Sequence, residues 1–288
     1  MCSSDLTDSM EMKGLTKQFK NGEAAVRAIE AGADVLLMPP DPDAVIRALT
    51  AAVNSGRISR KRIDQSVQRI LEAKVHVGLN KKKLVDLDAI TDVLDSNEEA
   101  ERAQTVADRA ITLVRNEGNV VPIPAPADAC VIASIGVRLS TFGQRMIDEF
   151  HRRAPSARVV FIDNTMPATA MATALGDPAT CSEIVFATFT LNPKPNENVG
   201  VFLDRLIQGT VPVVLVSFGN PYLIEDYRDV AAYIAAFSTS PPSEVSVVKA
   251  LLGEIPITGK LPITIPDVAQ YGDGIQLERG SKPQGATQ

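Results

Sequence analysis

Five short apolar runs recur through the second part of the chain: Cys130–Ile135, Val159–Ile162, Ile184–Phe189, Val213–Val216 and Tyr233–Phe237. They are rich in Val and Ile and too short for buried helices, the pattern of strands covered on both faces. Segments with helix-like spacing lie between and after them, near 140–152, 166–175, 197–208 and 241–252. Short buried strands joined by helical crossovers leave little choice of architecture: the pattern predicts a doubly wound parallel sheet in an α/β sandwich. Leu261–Ile265 contains Pro262, which cannot donate to a ladder, so it is expected as an edge strand. Ahead of the sheet, Ser96-Asn97-Glu98-Glu99 forms a capping box that predicts a helix running to about Val114.

The first part follows the same logic with fewer strands. Residues 22–31 predict an Ala-rich amphipathic helix stopped at Gly32, and Ala33–Met38 a buried strand ended by Pro39-Pro40. Asp41-Pro42-Asp43 opens a helix with Val45, Ile46, Leu49 and Val53 on one stripe, and Ser59 caps another carrying Ile63, Val67, Ile70 and Leu71. Helix, strand, helix is the tail of a repeating β/α pattern that cannot close a barrel alone. Lys81–Ser96 is charged and non-periodic, a linker pattern. The expected organisation is therefore a leader not native to the protein at 1–6 and the last β/α units of a truncated TIM barrel at 7–80. A linker at 81–97, the α/β sandwich domain at 98–272 and a disordered polar tail at 273–288 follow. Met1–Leu6 has neither the basic nor the apolar part of a signal peptide.

Composition removes several function classes. With 29 basic and 35 acidic residues the net charge is -6, which argues against a nucleic-acid partner. No apolar run reaches the roughly eighteen residues of a membrane span. The three cysteines, Cys2, Cys130 and Cys181, are spaced as neither a disulfide framework nor a metal-binding pair. There is no G-x-G-x-x-G, P-loop or G-x-S-x-G motif. Ser217-Phe218-Gly219-Asn220 follows a strand, where such sheets bind ligands, although Gly is also common in a purely structural turn. His76 and His151 lack matched carboxylate or cysteine spacing and are expected on the surface or in packing. No metal or organic cofactor is implied. Asp8 differs from these: it stands where a strand ends and a short loop begins, the position at which barrels place catalytic groups, though Asp is also a routine cap.

Thr7-Asp8-Ser9-Met10-Glu11-Met12-Lys13-Gly14 resembles the nucleophile motif of glycoside hydrolase family 3. Glu23-Ala24-Ala25 with Ala31–Pro39 resembles that family's next helix and strand, and Gly56–Lys74 with Gly78-Leu79 its closing barrel helix. Ala110–Gly118 with Pro122, and Gly259-Lys260-Leu261-Pro262, look like the opening and closing of its second domain. The Met10–Lys13 wording leans towards the β-N-acetylhexosaminidase branch, with β-glucosidases as the alternative. The resemblance implies a retaining glycosidase acting on N-acetylglucosamine-containing saccharides such as peptidoglycan or chitin fragments. Asp8 would be its nucleophile and Met10 a substrate contact. It also implies an acid/base His paired with Asp, and a sugar-gripping Lys-His pair, on segments this chain does not contain. In the glucosidase branch a Glu of the second domain supplies the proton, and the loop Asn192–Glu197 is a place for one. The expectation is thus a chain inactive by itself, with a non-catalytic α/β module as the competing class. The family occurs inside and outside the bacterial cytoplasm, so the resemblance leaves the compartment open.

Overall fold

The computed structural model describes residues 5–90, 94, 96–135, 141–190 and 197–280. The chain divides into two compact units, Met1–Thr91 and Asp92–Gln288.

In the first unit, two extended segments around Leu6 and Val35 pair in parallel. A single turn α1 (Lys13–Thr16) and helix α2 (Asn21–Ala31) connect them, and α3 (Pro42–Asn54) and α4 (Arg60–His76) follow. The starts and stops are local. Asp41 Oδ1 accepts from the Ala44 amide and Ser59 Oγ from the Arg62 amide, while Gly32 closes α2 at φ 119°. Met10, Ala24, Ala25 and Val45 form one small core cluster and Val26, Ile29, Ala52 and Ile58 another. This is the alternation of extended segment and helix found in β/α-barrel units. Asp5 and Leu6 are part of the paired segment, the Asp5 carbonyl accepting from the Asp34 and Val35 amides. One expectation changes. Ala33–Met38 is not a strand buried on both faces: Val35 and Leu37 are exposed, and Val35 makes only an isolated bridge, to Leu6.

The second unit opens with α5 (Asn97–Ala110) and β1 (Thr112–Asn116). It continues through β2 (Cys130–Ile135), α6 (Gln144–Arg153), β3 (Arg158–Asp163), α7 (Ala168–Leu175), β4 (Ile184–Thr188) and α8 (Glu197–Ile207). It is completed by β5 (Val213–Ser217), β6 (Ala232–Ala235) and α9 (Pro241–Leu251). The sheet order is β1-β6-β5-β4-β2-β3, parallel except for β1 against β6. The fold is α/β and doubly wound. Alternate residues of each central strand face opposite layers: Val131, Val185, Val214 and Ile234 pack with α6 and α9, and Ile132, Phe186, Leu215 and Tyr233 with α7 and α8. The Glu244 carboxylate on α9 is buried and accepts from the Gly143 and Met146 amides at 3.1 and 2.9 Å, so it caps α6. Burial raises its pKa.

Three expectations fail in this unit, each for a tertiary reason. The helix expected to reach Val114 stops at Ala110, because Thr112–Asn116 finds a ladder partner in β6. The edge position beside β6 is thereby taken, and Leu261–Ile265 lies outside the sheet, with Leu261 bonded to Asp273 and Gly272. The segment from Asp273 to Gly280 is not a loose tail: Ile275 bridges to Leu113 and Leu277 to Ile257. Two glycines permit this close layering, since a Cβ on Gly259 would lie 2.3 Å from the Ile111 carbonyl oxygen and one on Gly274 2.4 Å from that of Gly259.

The cysteine expectation is also corrected. Cys130 and Cys181 form a disulfide that joins the first residue of β2 to the loop before β4, across 51 positions of sequence. Spacing along the chain gave no hint, because parallel neighbours β2 and β4 bring the two residues together through a crossover. Closing a loop of that length restricts the unfolded chain by about 4 kcal/mol. Reduction, or the Cys130→Ala/Cys181→Ala pair, is therefore expected to lower the melting temperature by on the order of 10 °C. Calorimetry with and without reductant measures this; identical transitions would show that the bond contributes no stability.

Candidate active site

Asp8 stands just past the C-terminal end of the first extended segment, and its side chain is exposed. The carboxylate makes one local bond, Oδ1 accepting from the Ser9 amide at 2.7 Å. The turn that carries it is tied to the neighbouring segment on both sides. The Thr7 amide donates to the Val35 carbonyl at 3.1 Å and the Met10 amide to the Leu37 carbonyl at 2.9 Å. The Leu37 amide donates to Thr7 Oγ1 at 3.0 Å. Directly after Leu37, Met38 adopts φ 47°, a left-handed conformation rare outside glycine, and Pro39 leads the chain away.

Asp8 lies on the wall of a cavity of about 440 Å³, with Ser9, Met10, Met12, Leu15 and Phe19 among its other lining residues. Met10, the second site residue expected from the sequence, is 4% exposed, so it is part of the core beneath Asp8 as well as of the cavity wall. Met12 and Phe19 join that wall without having been singled out in the sequence; Phe19 reaches it because α1 returns the chain towards α2. The Arg27 guanidinium lies 4.8 Å from the centre of the Phe19 ring and pairs with Glu23 at 2.7 Å.

At the other end of the paired segments, Asp34 anchors the unit. Its side chain is fully buried, and Ser66 Oγ, Arg62 Nη1 and Arg69 Nη1 donate to it at 2.6, 2.9 and 3.2 Å. The Asp5 amide adds a bond at 3.1 Å. The Ser66 hydroxyl first, then the Asp5 amide and both guanidinium groups, hold this carboxyl well below the usual range, against the opposing effect of burial. Arg57 similarly ties α2 to the loop before α4 by pairing with Glu23 and Glu30, which it meets at 2.9 and 2.7 Å.

His76 and His151 are exposed on α4 and α6. Ser217-Phe218-Gly219-Asn220 is a packing turn: Ser217 Oγ donates to the Asn220 carbonyl, and a Cβ on Gly219 would meet the Thr190 oxygen at 2.3 Å. Residues 192–196 of the loop considered for an acid lie outside the described residues, and Glu197 begins α8. Among the described residues, no group of three or more His, Cys, Asp or Glu could hold a metal ion, and no helix is long and apolar enough to cross a membrane.

Residues 6–73, which include Asp8 and Asp34, match the Glycosyl hydrolase family 3 N terminal domain. A beta-N-acetylglucosaminidase/beta-glucosidase of Cellulomonas fimi is 27% identical over 281 residues, covering 90% of this chain and 48% of that protein. A lysosomal beta glucosidase of Dictyostelium discoideum is 33% identical over 102 residues, 35% of this chain and 12% of that protein. Among solved structures, a glycoside hydrolase family 3 beta-N-acetylglucosaminidase from Paenibacillus sp. str. FPU-7 superimposes with a TM-score of 0.71 at 25% identity, over 91% of this chain and 51% of that one. The chain thus spans about half the length of the Cellulomonas and Paenibacillus relatives. Its residues 6–73 match the N-terminal domain of glycoside hydrolase family 3, and over most of its length the chain is similar to enzymes of that family.

Proposed function

We propose that this chain carries the nucleophile of a retaining glycosidase that releases terminal N-acetylglucosamine, with Asp8 as the nucleophile. The observation that carries the reading is the exposed Asp8 carboxylate on a turn bonded on both sides to the next segment, at the wall of a cavity floored by Met10. An Asp8 oxygen forms a bond to the anomeric carbon as the bond to the leaving oxygen breaks, through an oxocarbenium-like transition state. Water then attacks the same carbon as its bond to the Asp8 oxygen breaks, giving up a proton to solvent, releasing the sugar and restoring the carboxylate. Protonating an ordinary alkoxide leaving group needs an acid, which the family resemblance puts on segments this chain does not contain, so natural glycosides are expected to turn over poorly here. The Cellulomonas relative is named for both activities, so β-glucoside cleavage is the second reading.

An activated substrate isolates the nucleophile's step. Dinitrophenolate departs without protonation, so 2,4-dinitrophenyl N-acetyl-β-glucosaminide should give one burst of phenolate per chain. A glycosyl group attached to Asp8 should be found by peptide mass analysis. A larger burst with the corresponding glucoside would reverse the substrate assignment, and no burst with either would refute the nucleophile.

A further inference from the structure

In a regular parallel ladder, a residue that donates its amide to one strand neighbour accepts at its carbonyl from the amide two positions further along. Thr7 begins this pattern, donating to the Val35 carbonyl at 3.1 Å. The amide two positions on is that of Leu37, and it donates at 3.0 Å not to the Thr7 carbonyl but to the Thr7 side-chain oxygen Oγ1. The hydroxyl therefore occupies the ladder place of its own backbone carbonyl. That substitution lets the peptide between Thr7 and Asp8 turn out of the ladder while the Leu37 amide stays satisfied. The Leu37 carbonyl is engaged by the same turn, accepting from Met10 at 2.9 Å, so both polar groups of residue 37 hold the chain on either side of Asp8.

We infer that Thr7 is a positioning residue whose hydroxyl sets the direction of the Asp8 carboxylate. The inference rests on the reading of Asp8 as nucleophile. Valine has nearly the shape of threonine but no acceptor. In Thr7→Val the Leu37 amide either loses its partner or recaptures the Thr7 carbonyl, and recapture rotates the peptide that leads into Asp8. Serine keeps the oxygen on the same carbon.

The experiment uses this chain and the dinitrophenyl glycoside. Thr7→Val is expected to reach the wild-type burst amplitude at a maximal rate on the order of 100-fold lower, since small misplacement of a reacting group has effects of that size. Half-saturation should stay unchanged, and Thr7→Ser should label near the wild-type rate. Loss of folded protein would lower the amplitude instead of the rate. Labelling of Thr7→Val at the wild-type rate would overturn the inference. If the wild type takes no label, the Asp8 reading fails and Thr7 is judged by hydrogen exchange at the Leu37 amide. Protection there should fall about fivefold or more in Thr7→Val and persist in Thr7→Ser. Unchanged protection in Thr7→Val overturns the inference in that case too.

Discussion

Replacing Asp8 with asparagine is expected to reduce glycosyl labelling by a factor on the order of 10³ or more, because a neutral carboxamide is a poor nucleophile towards the anomeric carbon. The substitution suits the question because the fold does not depend on this charge. Asp8 is exposed, and its carboxylate accepts from the Ser9 amide, a bond that an asparagine carbonyl oxygen can also accept. Thermal unfolding should therefore match the wild type while the phenolate burst disappears. A burst of undiminished rate in Asp8→Asn would remove Asp8 from the mechanism.

The second large effect lies at the opposite end of the paired segments. Asp34→Ala leaves Arg62 without its carboxylate, strips Arg69 and Ser66 of the same partner, and frees the Asp5 amide. Breaking a buried ion pair from one side costs several kcal/mol, and the partial exposure of both arginines moderates it, so about 2–4 kcal/mol is expected. The loss should appear as a lower urea midpoint for the first unit. The pH dependence has a definite sign. The folded-state pKa of Asp34 is depressed, so its stabilisation is fully present above the unfolded value near 4 and lost as pH falls through the folded value. Wild type and Asp34→Ala should therefore differ most near neutrality and converge in acid. A gap independent of pH would mean that lost packing, not charge, accounts for the effect.

Much of the second unit was legible because its information is local. Each of the five apolar runs became a strand, and the four helices between and after them formed within a few residues of their expected limits. Caps at Asp41, Ser59 and Ser96 were readable because a cap involves residues three apart. The misses involve partners far away in sequence. Thr112–Asn116 could not be told from the end of a helix until β6, more than a hundred residues on, was there to pair with it. Ile275 and Leu277 looked like part of a polar tail because their bonding partners are Leu113 and Ile257. Asp8 could be located through its motif, yet the roles of Thr7, Leu37 and the Asp34 cluster needed contacts across about thirty positions.

The sequence by itself determined the alternation of strands and helices, the caps, the acidic balance and the position of Asp8 within a segment that resembles the family 3 motif. These depend on residue type and short spacing, which a chain carries whether folded or not. Only the tertiary structure decided the antiparallel β1, the Cys130–Cys181 disulfide, the wrapped C-terminal segment and the bonds that hold the Asp8 turn. Each requires two distant segments to meet at hydrogen-bonding or covalent distance, and that meeting is set by how the layers pack.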